Sequence, residues 1–457
     1  MKKNENRQSS ERINMLSGSL IDKIFIFAVP LALSSILQQL FNSVDVAVVG
    51  HFANSQAQAA VGCNGPIINL IINLFIGISV GSNVIIANYI GGREKDKIRD
   101  AVHTSMTVSF ISGVILLVLG ITIARPVLVL MDTPEDVLEY AVLYLRIYSL
   151  GMPFIMVYNF GAAILRSIGD TKRPLYCLVL SGLINAGLNL FLVIVFHLDV
   201  AGVAIATVIS NVVSACMVWR FLMKESDPIR LSFRKLKMSK SELVRMLRIG
   251  MPAGLQGMVF SIANVCIQAA LNGYGSDAVA GSAVALNFEY FTYFVISAFN
   301  QTSVTFTSQN YGAAQYDRCR KVHRFCLISG LLITAVMCFI FIAGKGIFIS
   351  LFTSDPDVAA YASVRMLCVL SFLPLANTYE IGGASLRGLG YSMTPAVLTV
   401  FGTCLLRLVW IYTVCRQYTD FRMLMIVYPI SWVITGASVL AAYYIIRKKV
   451  FANRQNA

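Results

Sequence analysis

Two stretches of the sequence repeat each other: Tyr158-Asn159-Phe160-Gly161-Ala162-Ala163-Ile164-Leu165-Arg166, followed by Gly169, and Tyr379-Glu380-Ile381-Gly382-Gly383-Ala384-Ser385-Leu386-Arg387, followed by Gly390. They are separated by 221 residues. Nearly the same offset relates three other pairs: Pro30 and Pro252, Asn42 and Asn264, and Pro153 and Pro374. A constant offset across so many landmarks predicts that the chain contains two copies of one structural unit.

The composition indicates the environment of these copies. Of the 457 residues 57% are hydrophobic and 13% are charged, whereas soluble domains are roughly 45–50% apolar and about 25% charged. This excludes a water-soluble globule and a disordered chain. A membrane span needs about 20 mostly apolar residues. The sequence predicts twelve spans, at 24–46, 60–88, 101–124, 138–164, 174–197, 201–223, 249–271, 278–309, 323–349, 358–386, 395–415 and 424–446.

The positive charges alternate along the chain. Of the 37 Lys and Arg residues, 30 fall in the amino-terminal segment, in every second loop and in the tail. The positive-inside rule therefore places both termini in the cytoplasm of a multi-pass plasma-membrane protein. Because the net charge of +14 is explained by topology, no nucleic-acid partner is expected.

These features predict an all-α integral membrane protein with twelve transmembrane helices in two six-helix bundles. Six spans per copy leave both copies in the same orientation, so the bundles are related by a pseudo-twofold axis along the membrane normal and leave a cleft between them. The predicted parts are a cytoplasmic amino-terminal segment (1–23), an N-lobe (24–223), a basic cytoplasmic loop (224–248), a C-lobe (249–446) and a cytoplasmic tail (447–457).

The order and spacing of several motifs resemble one family over nearly the whole chain. The motifs are Phe41-Asn42-Ser43-Val44-Asp45-Val46-Ala47-Val48-Val49-Gly50, Leu165-Arg166-x-x-Gly169-Asp170, Gly202-Val203-Ala204-Ile205-Ala206-Thr207 and Leu386-Arg387-Gly388-x-Gly390. Together they look like the multidrug and toxic compound extrusion (MATE) transporters. The resemblance implies an antiporter that expels cationic or amphipathic organic compounds in exchange for protons or sodium ions.

Three acidic residues lie well inside predicted spans: Asp45, Glu289 and Glu380. A carboxylate is costly in hydrocarbon, so such a residue is a candidate functional group. Removal from water favours the neutral form, and a nearby cation favours the charged form. A group of this kind binds either a proton or a cation, and this competition is the physical basis of antiport.

Asp45 is the predicted ion-coupling residue. The resemblance adds Asn185, Asn189 and Thr207 to its site. Many relatives have a second Asp at the position of Asn189, and its absence weakens a sodium site, because hard cations prefer charged and carbonyl oxygens. A proton is therefore favoured over Na⁺ as the coupling ion, with Na⁺ at Asp45 as the one metal considered. The alternative is that Asp45 is only hydrated or caps a helix.

Glu289 and Glu380 are predicted to bind the organic cation, Glu289 with the help of aromatic neighbours. The alternative for each is an internal ion pair with Arg365 or Arg407. Pro30 is a predicted hinge of the first span. Five neutral polar residues are predicted to contribute to substrate binding by lining the cleft, with hydrogen bonds between helices as the alternative; they are Gln38, Asn42, Asn159, Gln256 and Asn264.

Other functions remain as alternatives. A flippase for lipid-linked saccharides would need basic groups in the cleft, and a membrane scaffold or sensor would transport nothing. The ten Cys and four His residues show no paired metal-ligand spacing, and no catalytic signature is present. We therefore expect no enzyme activity and no cofactor, with small organic cations and the lipid bilayer as partners of a monomer.

Overall fold

The computed structural model describes residues 12–52, 55–131 and 133–455. Residues 1–11 and 456–457 of the predicted terminal segments lie outside the described residues. Within the described ranges the chain forms sixteen α-helices and no β-strand. The helices are α1 Leu20–Phe52, α2 Ser55–Gly92, α3 Lys95–Leu130, α4 Glu135–Leu150, α5 Met152–Ser167, α6 Lys172–Leu190, α7 Asp199–Met223, α8 Lys240–Asn272, α9 Ser276–Gly312, α10 Tyr316–Ala343, α11 Lys345–Ser350, α12 Pro356–Arg365, α13 Ala376–Gly388, α14 Met393–Thr399, α15 Leu406–Gln417 and α16 Phe421–Gln455.

The helical fold follows from the apolar composition. In hydrocarbon no water satisfies the backbone, so a spanning segment must satisfy its own N–H and C=O groups, as a helix does. Among the described residues, eleven helical segments are long and apolar enough to cross a membrane, and α4 with α5 forms one more as a pair bent by 48°. The prediction of twelve helical spans is confirmed.

Several predicted spans are less regular than expected. The predicted span 138–164 is broken at Gly151, where α4 ends and α5 begins, because Pro153 in the first turn of α5 supplies no backbone N–H. In the tenth span a π turn at Met366–Leu370 and a 3₁₀ turn at Leu373–Leu375 precede α13. This irregular stretch contains Pro374, the repeat partner of Pro153.

Two other boundaries differ from the prediction. The predicted span 323–349 is interrupted, since α10 ends at Ala343 and the short α11 starts after Gly344. The helix α8 begins at Lys240, inside the predicted loop 224–248. Glu242 near the start of α8 is buried and accepts a 2.8 Å hydrogen bond from Tyr89 Oη. The polar first turns of α8 are therefore packed against protein, which hydropathy alone does not predict.

The described chain groups into two compact units. One consists mainly of Val29–Gly254, and the other of Met15–Ala28 with the chain from Leu255 onward. Each unit has its own hydrophobic core. The divisions fall inside α1 and α8, close to Pro30 and Pro252. The lobes predicted at 24–223 and 249–446 follow chain order and remain a prediction.

Within the first unit, α2 and the start of α8 pack through glycines. A Cβ atom at Gly77 would lie 2.2 Å from the backbone nitrogen of Gly254, and one at Gly81 would lie 2.4 Å from the carbonyl oxygen of Met246. A Cβ at Gly250 would meet the Cα of Ile78 at 2.5 Å. Both helices thus present glycines four residues apart, which allows direct backbone contact between them.

Candidate functional site: an aspartate network and a basic cavity

Asp45 on α1 belongs to a hydrogen-bonded network within the first unit. Its side chain is 9% exposed. The Asn189 amide nitrogen donates to Asp45 Oδ1 and also, at 3.3 Å, to Asn185 Oδ1. The Asn185 nitrogen donates to Thr207 Oγ1, also at 3.3 Å. The structure therefore brings together all four residues predicted for the coupling site, while their role stays a prediction.

Local helix geometry explains why these side chains meet. Asn185 and Asn189 are four residues apart on α6, so they lie on the same face of the helix. Thr207 comes from α7, which packs against α6, and its hydroxyl also donates to the Val203 carbonyl at 2.9 Å. Immediately after Asn189 and Leu190 the helix changes to a π turn at Phe191–Val195. Such turns occur frequently at functional sites.

The side-chain amide of Asn189 is able to accept a hydrogen bond that it does not make within the described chain. Its oxygen Oδ1 is buried and has no hydrogen-bond partner among the described residues. An ionised carboxylate only accepts hydrogen bonds, whereas a protonated one also donates. In the present orientation Asn189 offers its N–H to the ionised form of Asp45. Rotation of the amide by half a turn would offer the oxygen to the protonated form.

Two tyrosines of α4 complete this environment. The rings of Tyr144 and Tyr148 are stacked with their centroids 5.9 Å apart, and both lie close enough to Asp45 to interact with it electrostatically. Neither tyrosine was predicted from the sequence as a site residue. Their spacing of four residues in an apolar span was the available signal.

Glu289 on α9 forms an ion pair with Arg365 on α12. Arg365 Nε donates to Glu289 Oε1 at 2.7 Å, and its Nη2 donates to Oε2 at 3.1 Å. Arg365 is 2% exposed. The internal pair considered as the alternative for Glu289 is thus present, and it neutralises the charge of this carboxylate.

Glu380 on α13 is held by neutral donors. The hydroxyl of Tyr293 donates to Glu380 Oε1 at 2.9 Å, and the Asn300 amide donates to the other carboxylate oxygen and to the Glu380 carbonyl. The side chain is half-buried. No arginine is among these hydrogen-bond partners.

A cavity of about 200 Å³ lies within the second unit. Its wall includes the Glu289–Arg365 pair, Arg407 and the predicted residue Asn264, and it is rich in aromatic rings. Arg407 is 1% exposed. Its Nε donates to Ser431 Oγ at 3.2 Å, but neither Nη atom has a hydrogen-bond partner among the described residues.

The remaining predicted residues are not among the hydrogen-bond partners described above for Asp45 or Arg407. Gln256 accepts a 2.8 Å hydrogen bond from Arg387 Nη2. Asn159 donates to the Ile155 carbonyl of its own helix at 2.9 Å. Gln38 and Asn42 are exposed on α1, and Pro30 is buried within the same helix.

The described part of the chain contains no cluster of three or more His, Cys, Asp or Glu residues able to hold a metal ion. At Asp45 one carboxylate is accompanied by two amides and a hydroxyl. Hard cations prefer sites with more charged or carbonyl oxygens. The donor set at Asp45 therefore has fewer charged and carbonyl oxygens than such a cation prefers.

Comparison with known proteins identifies the family. The MatE family model matches residues 30–191 and 252–413, one match in each repeat. The chain is 29% identical to the probable multidrug resistance protein YoeA of Bacillus subtilis over 93% of both chains. It is 26% identical to the probable multidrug resistance protein NorM of Thermotoga maritima over 81% of both.

The fold is also that of a solved structure described as MATE in the bent conformation. The TM-score is 0.89, and the match covers 96% of this chain and 98% of the other at 22% identity. The resemblance and the helical membrane fold expected from the sequence are both confirmed. The chain belongs to the MatE family, whose members are transporters and not enzymes.

Proposed function

We propose that this protein is a secondary active antiporter that exports cationic or amphipathic organic compounds in exchange for protons, with Asp45 as the coupling residue. The observation that carries the proposal is the network of Asp45, Asn189, Asn185 and Thr207. It holds a nearly buried carboxylate among neutral donors. A carboxylate without a fixed cation is free to exchange a proton.

The chemistry of Asn189 supports a two-state mechanism. Ionised Asp45 is stabilised by the Asn189 N–H, and protonated Asp45 by the free amide oxygen after rotation of the side chain. A proton taken up from outside would thus change the hydrogen bonds between α1 and α6. We propose that α1 then bends near Pro30 and favours release of the cargo, and that the proton leaves to the cytoplasm when the cycle resets by alternating access.

Proton coupling is favoured over sodium coupling because only one member of the network carries a charge. A sodium ion at this position would be held by one carboxylate and neutral oxygens, with Asn189 in place of a second carboxylate. The alternative is that the coupling ion is Na⁺, bound at Asp45.

Glu380 is the better supported of the two proposed cation-binding residues. Its hydrogen-bond partners Tyr293 and Asn300 are neutral, whereas Glu289 is held in a direct ion pair by Arg365. The names of relatives such as YoeA and NorM describe multidrug resistance, which supports drug-like cargo. We further propose a monomer in the bacterial plasma membrane with both termini in the cytoplasm, in line with the charge distribution.

The test is transport of a fluorescent cationic dye by proteoliposomes under an imposed proton gradient, and separately under a sodium gradient. We expect the proton gradient to drive dye movement and Asp45→Asn to abolish it, because an amide cannot exchange a proton. Asp277→Asn is the matched control, since this carboxylate is exposed at the start of α9 and its loss should leave transport unchanged.

Transport by Asp45→Asn at the wild-type rate would remove Asp45 from the mechanism. Dye movement driven by the sodium gradient alone would show that the coupling ion is Na⁺ and not a proton. Absence of movement under either gradient, with movement of a lipid-linked saccharide instead, would favour the flippase. Absence of both would favour a scaffold or sensor.

A further inference from the structure

The cavity of the second unit has an excess of positive charge. Three charged side chains belong to its wall: Glu289, Arg365 and Arg407. Glu289 and Arg365 neutralise each other through two hydrogen bonds. The charge of Arg407 has no counterpart among these residues, which is the opposite of what a cavity for an organic cation requires.

Arg407 lines the cavity and has unused hydrogen-bond donors. Its Nε is fixed by Ser431, and the guanidinium lies 4.4 Å from the centre of the Tyr428 ring and 5.6 Å from that of Phe260. These contacts hold the plane of the group while both Nη atoms remain without a partner among the described residues. Buried donors of an ionised group are costly when they lack acceptors, so we infer that the acceptors come from a ligand.

We propose that this cavity binds an organic anion, in which a carboxylate or phosphate accepts two hydrogen bonds from the Nη atoms of Arg407 and an aromatic ring packs in the rest of the cavity. The proposal rests on the export function proposed above and names a class of cargo for it. The planar fork of arginine matches two anionic oxygens at once. Tyr293, Tyr379 and Trp432 supply apolar faces for the ring.

The dimensions restrict the bound part of the ligand. A cavity of roughly 150 Å³ holds benzene, and drug-binding pockets measure about 300–1,000 Å³. The cavity of about 200 Å³ therefore accommodates the acidic group and the adjoining ring of a larger molecule. At its edge Asn264, Gln268 and Tyr290 are exposed, so the remainder of the molecule has a path to the surface of this unit. The class of ligand is thus aromatic acids, and purely cationic compounds would not use Arg407.

Binding to the full-length protein in detergent tests the proposal without any ion gradient. The probes are 2-naphthoate, its neutral analogue 2-naphthamide, and 2-naphthyl phosphate, with affinities measured by isothermal titration calorimetry. We expect naphthoate to bind and naphthamide to bind about tenfold or more weakly, as for loss of a charged hydrogen bond. Comparison of naphthoate with naphthyl phosphate shows which anion the site prefers.

Arg407→Gln should reduce naphthoate affinity by about tenfold or more, and Arg407→Lys should retain part of it. Arg416→Gln is the control, because Arg416 is on the same helix and exposed. Equal affinity for naphthoate and naphthamide would overturn the proposal, as would unchanged naphthoate binding in Arg407→Gln. The comparison of the two probes on the wild type holds even if Arg407→Gln does not fold.

This binding test and the transport test can fail separately. Loss of proton-driven dye transport in a protein that binds naphthoate through Arg407 would refute the coupling mechanism alone. Proton-driven dye transport with no preference for naphthoate over naphthamide would refute the anion site alone.

Discussion

Asn189 is the residue on which the proposed choice of coupling ion depends. It donates to both Asp45 and Asn185, and its side chain is neutral. Since a cation site improves with each charged oxygen, we propose that an amide at this position favours a proton over a sodium ion.

We predict that Asn189→Asp makes transport responsive to sodium. The second carboxylate would lie next to Asp45 and repel it, and a bound cation would relieve that repulsion. In proteoliposomes, an imposed sodium gradient should increase dye transport several-fold over the wild type. Asn211→Asp on α7 is the control, because Asn211 is not part of the network. Identical sodium responses of both variants and the wild type would contradict the prediction.

The sequence predicted this site better than it predicted the cavity. Asp45 was identified as an acid inside a predicted span, and Asn185, Asn189 and Thr207 were added from the resemblance to the MATE transporters. Arg407 was noted only as a partner for an acid, because the sequence does not show that Glu289 would pair with Arg365 instead. The choice between two arginines depends on helix packing that chain order does not reveal.

Among the helices, the packing of α2 against α8 depends on the glycines at their contact. Gly77 and Gly81 face Gly250 and Gly254, and the atoms that a new Cβ would meet are mostly backbone atoms. Backbone atoms cannot move aside as the end of a flexible side chain can. The close approach of these two helices therefore depends on glycine at these positions.

We predict that Gly77→Ala destabilises the protein by about 3 kcal/mol or prevents folding, at the upper end of the usual cost of overpacking. The measurement is thermal unfolding of the purified protein in detergent. Gly62→Ala on the same helix is the control, because a Cβ there would meet no atom within 4 Å. That variant should unfold at the wild-type temperature or slightly above, since alanine favours the helix. Equal unfolding temperatures for Gly77→Ala and Gly62→Ala would contradict the prediction, because α2 and α8 would then be able to move apart and admit a Cβ atom without loss of stability.

The positions of the membrane-spanning helices were predictable from the sequence, but the breaks and irregular turns inside them were not. Hydropathy gave the twelve spans, because length and apolarity are all that a bilayer requires. The break at Gly151 and the irregular turns before α13 were missed, although Pro153 and Pro374 were both recognised as repeat partners. A proline indicates where a helix lacks a hydrogen bond, but the surrounding packing determines whether the helix bends there.

For the whole molecule, the charge distribution predicts orientation. The test uses a variant without the ten native cysteines, into which Met238→Cys is introduced in the basic loop, where Met238 is 46% exposed. In a second variant Ser354→Cys is introduced beside Asp355 and Asp357, in a loop predicted to lie on the opposite side of the membrane. A membrane-impermeant maleimide should label Ser354→Cys in intact cells. It should label Met238→Cys only after permeabilisation, because positive loops stay in the cytoplasm. Labelling of Met238→Cys in intact cells would show that the basic loop lies outside the cell and that the predicted topology is wrong.

The glycine packing of α2 against α8 also limits where α8 is able to flex. At Gly250 and Gly254 the backbone of α8 lies directly against the backbone of α2, with no side chain whose rotamer could absorb a displacement, so this portion of α8 is expected to move together with α2. Pro252 removes one backbone hydrogen bond beside the end of this rigid portion. Any bending of α8 is thus expected within the single helical turn that contains Pro252. Two spin labels, one on each side of this turn, would detect the bending as a change in the distance between them.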